Sequence, residues 1–164
     1  MDKKIVLAAG LACVASFASA QENIVRPVQG AKEVGISGNW TSVSGSNSYT
    51  ITGSVGYYFT NNIVGETSLT LNKVDSGSVA TLWFLGARYE FNTSGQVVPY
   101  VLAGMYYENT GSGGQTATTF KGGAGVNYYV SPTSAFFAEL AFYRFSGASD
   151  TTTSLDFGLR FFFK

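Results

Sequence analysis

The chain has 164 residues, ten Lys and Arg against ten Asp and Glu, no histidine and a single cysteine. Balanced charge argues against a nucleic-acid partner or a polybasic lipid-surface patch, and the lack of histidine removes the commonest general base and metal ligand. Only 12% of residues are charged, about half the share of an average soluble domain, while 15% are aromatic and 20 are glycine.

Residues 1–20 read as a cleavable secretory leader. Lys3 and Lys4 give it a positive start, and Ile5 to Phe17 supplies an apolar stretch too short to span roughly 30 Å of hydrocarbon comfortably. Ala18-Ser19-Ala20 is a small-residue cleavage site. Cys13 lacks the large aliphatic residue three places before it that a lipoprotein acceptor uses. Without the leader, residues 21–164 form one domain of 144 residues with no cysteine, so neither disulfides nor thiolate chemistry are available. No later stretch approaches the roughly 18 apolar residues of a membrane helix.

Gln21 to Gly30 is polar and aperiodic and reads as a short periplasmic lead-in. From there the chain alternates with a period of two, the mark of a strand with different surroundings on its two sides. The first strand, Lys32 to Val43, places Val34, Ile36 and Trp40 opposite Glu33, Gly35, Ser37, Asn39 and Thr41. After a turn at Ser44–Asn47, the second, Ser48 to Phe59, sets Tyr49, Ile51, Val55, Tyr57 and Phe59 against Thr50, Thr52, Ser54 and Gly56. Thr60-Asn61-Asn62 is a tight turn of residues that tolerate unusual backbone angles. The third strand, Ile63 to Lys73, opposes Leu69 and Leu71 to Glu66, Ser68, Thr70 and Asn72. The fourth, Val79 to Phe91, opposes Trp83, Leu85, Ala87, Tyr89 and Phe91 to Leu82, Phe84, Gly86, Arg88 and Glu90.

The fifth strand, Val98 to Glu108, is oriented by Gly104 and Glu108, which suit a crowded interior, leaving Val101, Ala103, Met105 and Tyr107 outward. Asn109 to Thr118 is the longest expected loop. The sixth, Thr119 to Val130, opposes Phe120, Ala124, Val126, Tyr128 and Val130 to Lys121, Gly123, Gly125, Asn127 and Tyr129. The seventh, Ala135 to Phe145, opposes Phe136, Ala138, Leu140 and Phe142 to Glu139, Ala141 and Tyr143, with Arg144 outward at head-group level. The last, Thr151 to Lys164, sets Leu155, Phe157, Leu159, Phe161 and Phe163 against Ser154, Asp156, Gly158, Arg160 and Phe162. Eight antiparallel strands, an even count, fit an all-β, up-and-down transmembrane barrel, and closure removes the sheet edges that seed aggregation.

With the strands laid out, the chain resembles the small eight-stranded outer-membrane barrels, the group of the OmpA transmembrane domain, OmpX and the OmpW-like proteins. Gly56 to Leu71, GYYFTNNIVGETSLTL, is similar to that group's strand, Asn-rich periplasmic turn and Glu-bearing return strand. Asp156, Gly158, Phe161 and Phe163 match the polar-x-Gly-x-x-aromatic-x-aromatic signal read by the barrel-assembly machinery, shifted one place inward by Lys164. The resemblance implies the outer membrane of a Gram-negative-type bacterium, with its lipids and lipopolysaccharide as surroundings and the assembly machinery as a partner during biogenesis.

On this layout the lumen receives Glu33, Glu66, Glu90, Glu139 and Asp156 against Arg88, Lys121 and Arg160. Buried charges are costly unless paired and hydrogen-bonded, so these residues are expected to form an ion-pair network. That network either fills a barrel only wide enough for side chains, or exchanges partners to gate a narrow pore. Trp40, Tyr49, Tyr57, Phe59, Trp83, Tyr89, Tyr107, Tyr128 and Phe136 are expected to form aromatic girdles at the head-group levels. No catalytic constellation, metal site or cofactor is expected. The leading expectation is a non-enzymatic structural or surface-contact role with an unidentified ligand. Its alternatives are a narrow channel or conduit for small hydrophobic molecules, and a soluble secreted binding barrel of lipocalin type.

Overall fold

Eight strands form in chain order, each from a segment with period-two alternation. They are β1 (Lys32–Val43), β2 (Ser46–Tyr58), β3 (Ile63–Val74), β4 (Ala80–Glu90), β5 (Val97–Asn109), β6 (Thr116–Ser131), β7 (Ser134–Phe145) and β8 (Thr151–Phe163). The computed structural model describes residues 26–43, 46–74, 79–109, 116–146 and 151–164. The expected leader with Cys13, the side chain of Trp40 and most of the expected turns at Ser44–Asn47, Val74–Gly77, Asn109–Thr118 and Ser146–Asp150 lie outside them.

Every strand pairs antiparallel with its neighbour in sequence, and β1 pairs with β8 from Lys32↔Phe163 to Gly38↔Phe157, so the sheet closes into a barrel. Two hairpins run further than their loop-like composition suggests. The Thr-rich start of β6 extends the ladder through Glu108↔Ala117 and Asn109↔Thr116, because threonine suits a pleated surface. Likewise Val43↔Ser46 lengthens the β1–β2 hairpin beyond the turn expected at Ser44–Asn47.

The alternation sorts the side chains sharply. Ile51 is 61% exposed and Phe59 58%, whereas Glu33 and Arg88 are each 1% exposed. A soluble barrel of lipocalin type would show the reverse. On the outward wall, Tyr49 and Tyr57 of β2 are separated by roughly 26 Å of strand. At a tilt near 40° that is about 20 Å along the axis, close to the height of an apolar membrane band. Between them even a hydroxyl is satisfied: Trp83 Nε1 donates to Thr67 Oγ1 at 2.6 Å, and Thr67 Oγ1 donates to the Phe84 carbonyl at 2.8 Å.

Inward-facing glycines decide where large lumen rings can lie. Tyr100 pairs across the β5–β6 ladder with Gly125, and a Cβ there would stand 2.6 Å from the Tyr100 hydroxyl. Phe137 pairs with Gly158 across β7–β8, where an added Cβ would meet the ring at 2.5 Å. Each ring therefore lies over the gap left by a missing side chain, the arrangement by which aromatics stabilise strand glycines. Both rings then serve as platforms for charged groups.

Candidate functional site in the barrel lumen

At the end of the barrel where β1 begins and β8 ends, here the terminal end, Ala31, Tyr58, Val64, Val98, Tyr129, Ala135 and Phe162 form a buried apolar cluster. Tyr129 stacks on Phe162 with centroids 5.4 Å apart, and Tyr58 meets the same ring edge-on at 6.2 Å. Residues 26–31 cross below this cluster. Gln29 N donates to Asn61 Oδ1 at 2.9 Å, and Arg26 reaches the Phe91 carbonyl at 3.2 Å, so this segment ties the β2–β3 and β4–β5 turns together.

Above the cluster sits Arg88, fully buried and facing three carboxylates. Its guanidinium forks onto Glu33, with Nη2 against Oε2 and Nη1 3.2 Å from Oε1. Nη1 also donates to Glu66 at 2.5 Å, and Nε to Glu90 at 3.2 Å. Only a planar fork of five donors can serve three acids from one position. Glu90 further accepts from Asn127 Nδ2 at 2.8 Å, Tyr58 OH at 3.2 Å and Tyr129 OH at 3.3 Å.

The network continues upward without a break. Arg160 Nε lies 3.2 Å from Glu33, its Nη1 donates to Asn127 Oδ1, and its Nη2 donates to the Tyr100 hydroxyl at 3.4 Å. Its guanidinium also rests over the Phe137 and Tyr100 rings, at 4.1 and 4.8 Å from their centroids. Tyr100 OH donates to Glu139 Oε2 at 2.9 Å, and Lys121 Nζ sits 2.6 Å from Glu139 Oε1. One polar chain thus links Glu90, Arg88, Glu33, Arg160, Tyr100, Glu139 and Lys121.

Asp156 differs from the expected pattern. Among the described residues it has no ion pair; it accepts from Ser154 Oγ at 3.2 Å, Asn39 Nδ2 at 3.3 Å and Tyr143 OH at 3.5 Å. Glu139 stands directly across the β7–β8 ladder from Asp156 and takes Lys121, whose ammonium also lies over the Phe84, Tyr106 and Tyr143 rings. Above the ion pairs lies a cavity of about 210 Å³, reaching from Glu66 and Arg160 to Thr50 and Asn72 and opening away from the terminal end.

Sequence reading left out Tyr58, Tyr100 and Phe137, each of which helps to bind or seat a charge. For Tyr58 and Phe137 the available signal is a doubled aromatic; Tyr100, between Pro99 and Val101, carries no such signal. Tyr57-Tyr58, Phe136-Phe137 and Phe161-Phe162 put one ring on each wall, because neighbours in a strand face opposite ways. Of the outward aromatics, Tyr49, Tyr57, Phe59, Trp83, Tyr89, Tyr107 and Phe136 are exposed, as is Phe163, while Tyr128 is half-buried. Phe161 and Phe163 face outward on β8, with Asp156 on the lumen side.

A closed eight-strand barrel with an apolar outer wall and buried interior charges has the architecture of a transmembrane β-barrel. The chain belongs to the outer membrane protein beta-barrel domain family, whose profile matches residues 5–161. It is similar to the N-terminal β-barrel domain of Pseudomonas aeruginosa OprF, at 26% identity over 84% of this chain and 100% of that one, with a TM-score of 0.63. A de novo designed transmembrane barrel aligns at 18% identity, covering 85% of this chain and 100% of the design, with a TM-score of 0.60. Neisserial surface protein A aligns at 20% identity over 80% of this chain and 94% of that one, with a TM-score of 0.53. No curated protein sequence matches significantly. The last two likenesses concern the fold alone, which carries no function by itself.

Proposed function

We propose that the mature chain is a non-catalytic outer-membrane barrel with a structural or surface-contact role, its lumen closed by its own side chains. The observation that carries this reading is Arg88, fully buried and bound to Glu33, Glu66 and Glu90 directly above the Tyr58–Tyr129–Phe162 cluster. Opening a water path would mean parting these pairs and leaving charges uncompensated in a narrow lumen, which is strongly unfavourable. On this reading residues 1–20 are removed on export. The aromatic rings anchor the wall among phospholipid and lipopolysaccharide head groups, and Asp156, Gly158, Phe161 and Phe163 address the chain to the assembly machinery. Planar-bilayer recordings of purified, refolded protein are expected to show no conductance steps above background. Reproducible steps would support the rival reading, a narrow pore, which the cavity above Arg160 favours.

A further inference from the structure

We propose that the open upper half of the lumen is a binding site for a small organic ammonium ion, a role separate from the structural reading above. The cavity lining brings together the hydroxyl side chains of Thr50, Thr52 and Thr70, the rings of Tyr106 and Tyr143, and the carboxylate of Asp156. Hydroxyl oxygens, ring faces and a carboxylate all favour positive charge.

The charge inventory of the described residues points the same way. In the lumen Glu33, Glu66, Glu90, Glu139 and Asp156 outnumber Arg88, Lys121 and Arg160 by two. Among the described residues no other basic side chain makes up the difference. Lys32, Lys73, Arg144 and Lys164 are exposed, and Arg26 is bound at the terminal end. An uncompensated carboxylate in a confined space favours a mobile cation beside it.

The kind of cation follows from the wall. The ring side already holds one ammonium: Lys121 Nζ sits 5.3, 5.9 and 5.8 Å from the Phe84, Tyr106 and Tyr143 centroids. Tyr143 reaches Asp156 through its hydroxyl, so a second ammonium at Asp156 lies beside the same kind of surface. A directly ligated metal fits poorly, since among the described residues no three His, Cys, Asp or Glu are placed to hold one ion, and Glu33, Glu66 and Glu90 are taken up by Arg88. The volume of about 210 Å³ is several times what one water needs and leaves room for an organic body.

Choline is a suitable probe, with dimethylbutanol as its uncharged carbon isostere and sodium chloride as an ionic control. Titrating the purified barrel in detergent micelles, followed by calorimetry or ligand-observed NMR, is expected to show saturable choline binding, none for dimethylbutanol and weak competition by sodium. Asp156→Asn should weaken choline binding about tenfold, with heat-modifiable gel migration confirming the fold. Thr52→Leu, which fills the cavity without touching a charge, should abolish binding and guards against misfolding of the first variant. Equal binding of dimethylbutanol, equal competition by sodium, no saturable choline binding, or unchanged affinity in both variants would overturn the proposal.

Discussion

Arg88→Met is expected to destabilise the folded barrel by about 3–5 kcal/mol, the cost typical of breaking a buried ion pair by removing one partner. Arg88 is the hub of the lumen: without it Glu33 keeps only Arg160, Glu66 loses the one ion pair it has among the described residues, and Glu90 retains only neutral donors. Three carboxylates would then share one guanidinium in a confined space. Urea titration of the protein in lipid vesicles, followed by heat-modifiable gel migration, reads the loss directly. Arg88→Lys should recover little, since a single ammonium cannot span three acids in fixed directions. Combining Arg88→Met with Glu66→Gln and Glu90→Gln should recover much of the stability, because it removes the stranded charges as well as the missing one. Full stability in Arg88→Met alone would mean that water reaches these carboxylates.

The second large effect concerns the opposite wall. Leu85→Arg, at the middle of β4 between Thr67 and Met105, places a guanidinium on the lipid face. A charge near the membrane midplane costs about 2–4 kcal/mol, whereas the same charge near the interface costs about 0–1 kcal/mol. Thr81→Arg, two turns of the alternation higher on the same face and paired with Asn109, is the matched control. The same urea titration should therefore show a large drop for Leu85→Arg and almost none for Thr81→Arg. Equal effects would place both positions at one depth, contrary to the girdles inferred from Tyr49 and Tyr57.

Much of this architecture was legible because the period of two carries two facts at once, strand and facing. On β5, where apolar residues occupy both faces, Gly104 and Glu108 were enough to orient the strand, and Tyr100, Leu102 and Tyr106 are buried as that orientation requires. Strand ends were less legible, because Thr116 and Ala117 read as loop until Glu108 and Asn109 are seen to pair with them. Partner choice inside the lumen was not legible at all. Which acid meets Arg88 depends on the stagger of eight strands around the barrel, a closure property that no local pattern encodes. Asp156 shows the consequence: composition assigns it to the ion pairs, yet its position leaves Lys121 to Glu139. Neither could the seating of Tyr100 over Gly125 be read from one strand, since it joins residues on two.

Apolar side chains face lipid while the charged network is shut away from water at the terminal end. Single-cysteine reactivity tests this arrangement most directly, because Cys13 is the only native cysteine and a Cys13→Ser background leaves no other. Cysteines placed singly at Leu85, Thr52 and Val98, in protein embedded in vesicles, would be exposed to a water-soluble and to a lipid-partitioning thiol reagent. Leu85→Cys is expected to react only with the lipid-partitioning reagent, Thr52→Cys only with the water-soluble one, and Val98→Cys with neither. Rapid reaction of Leu85→Cys or Val98→Cys with the water-soluble reagent would contradict this arrangement.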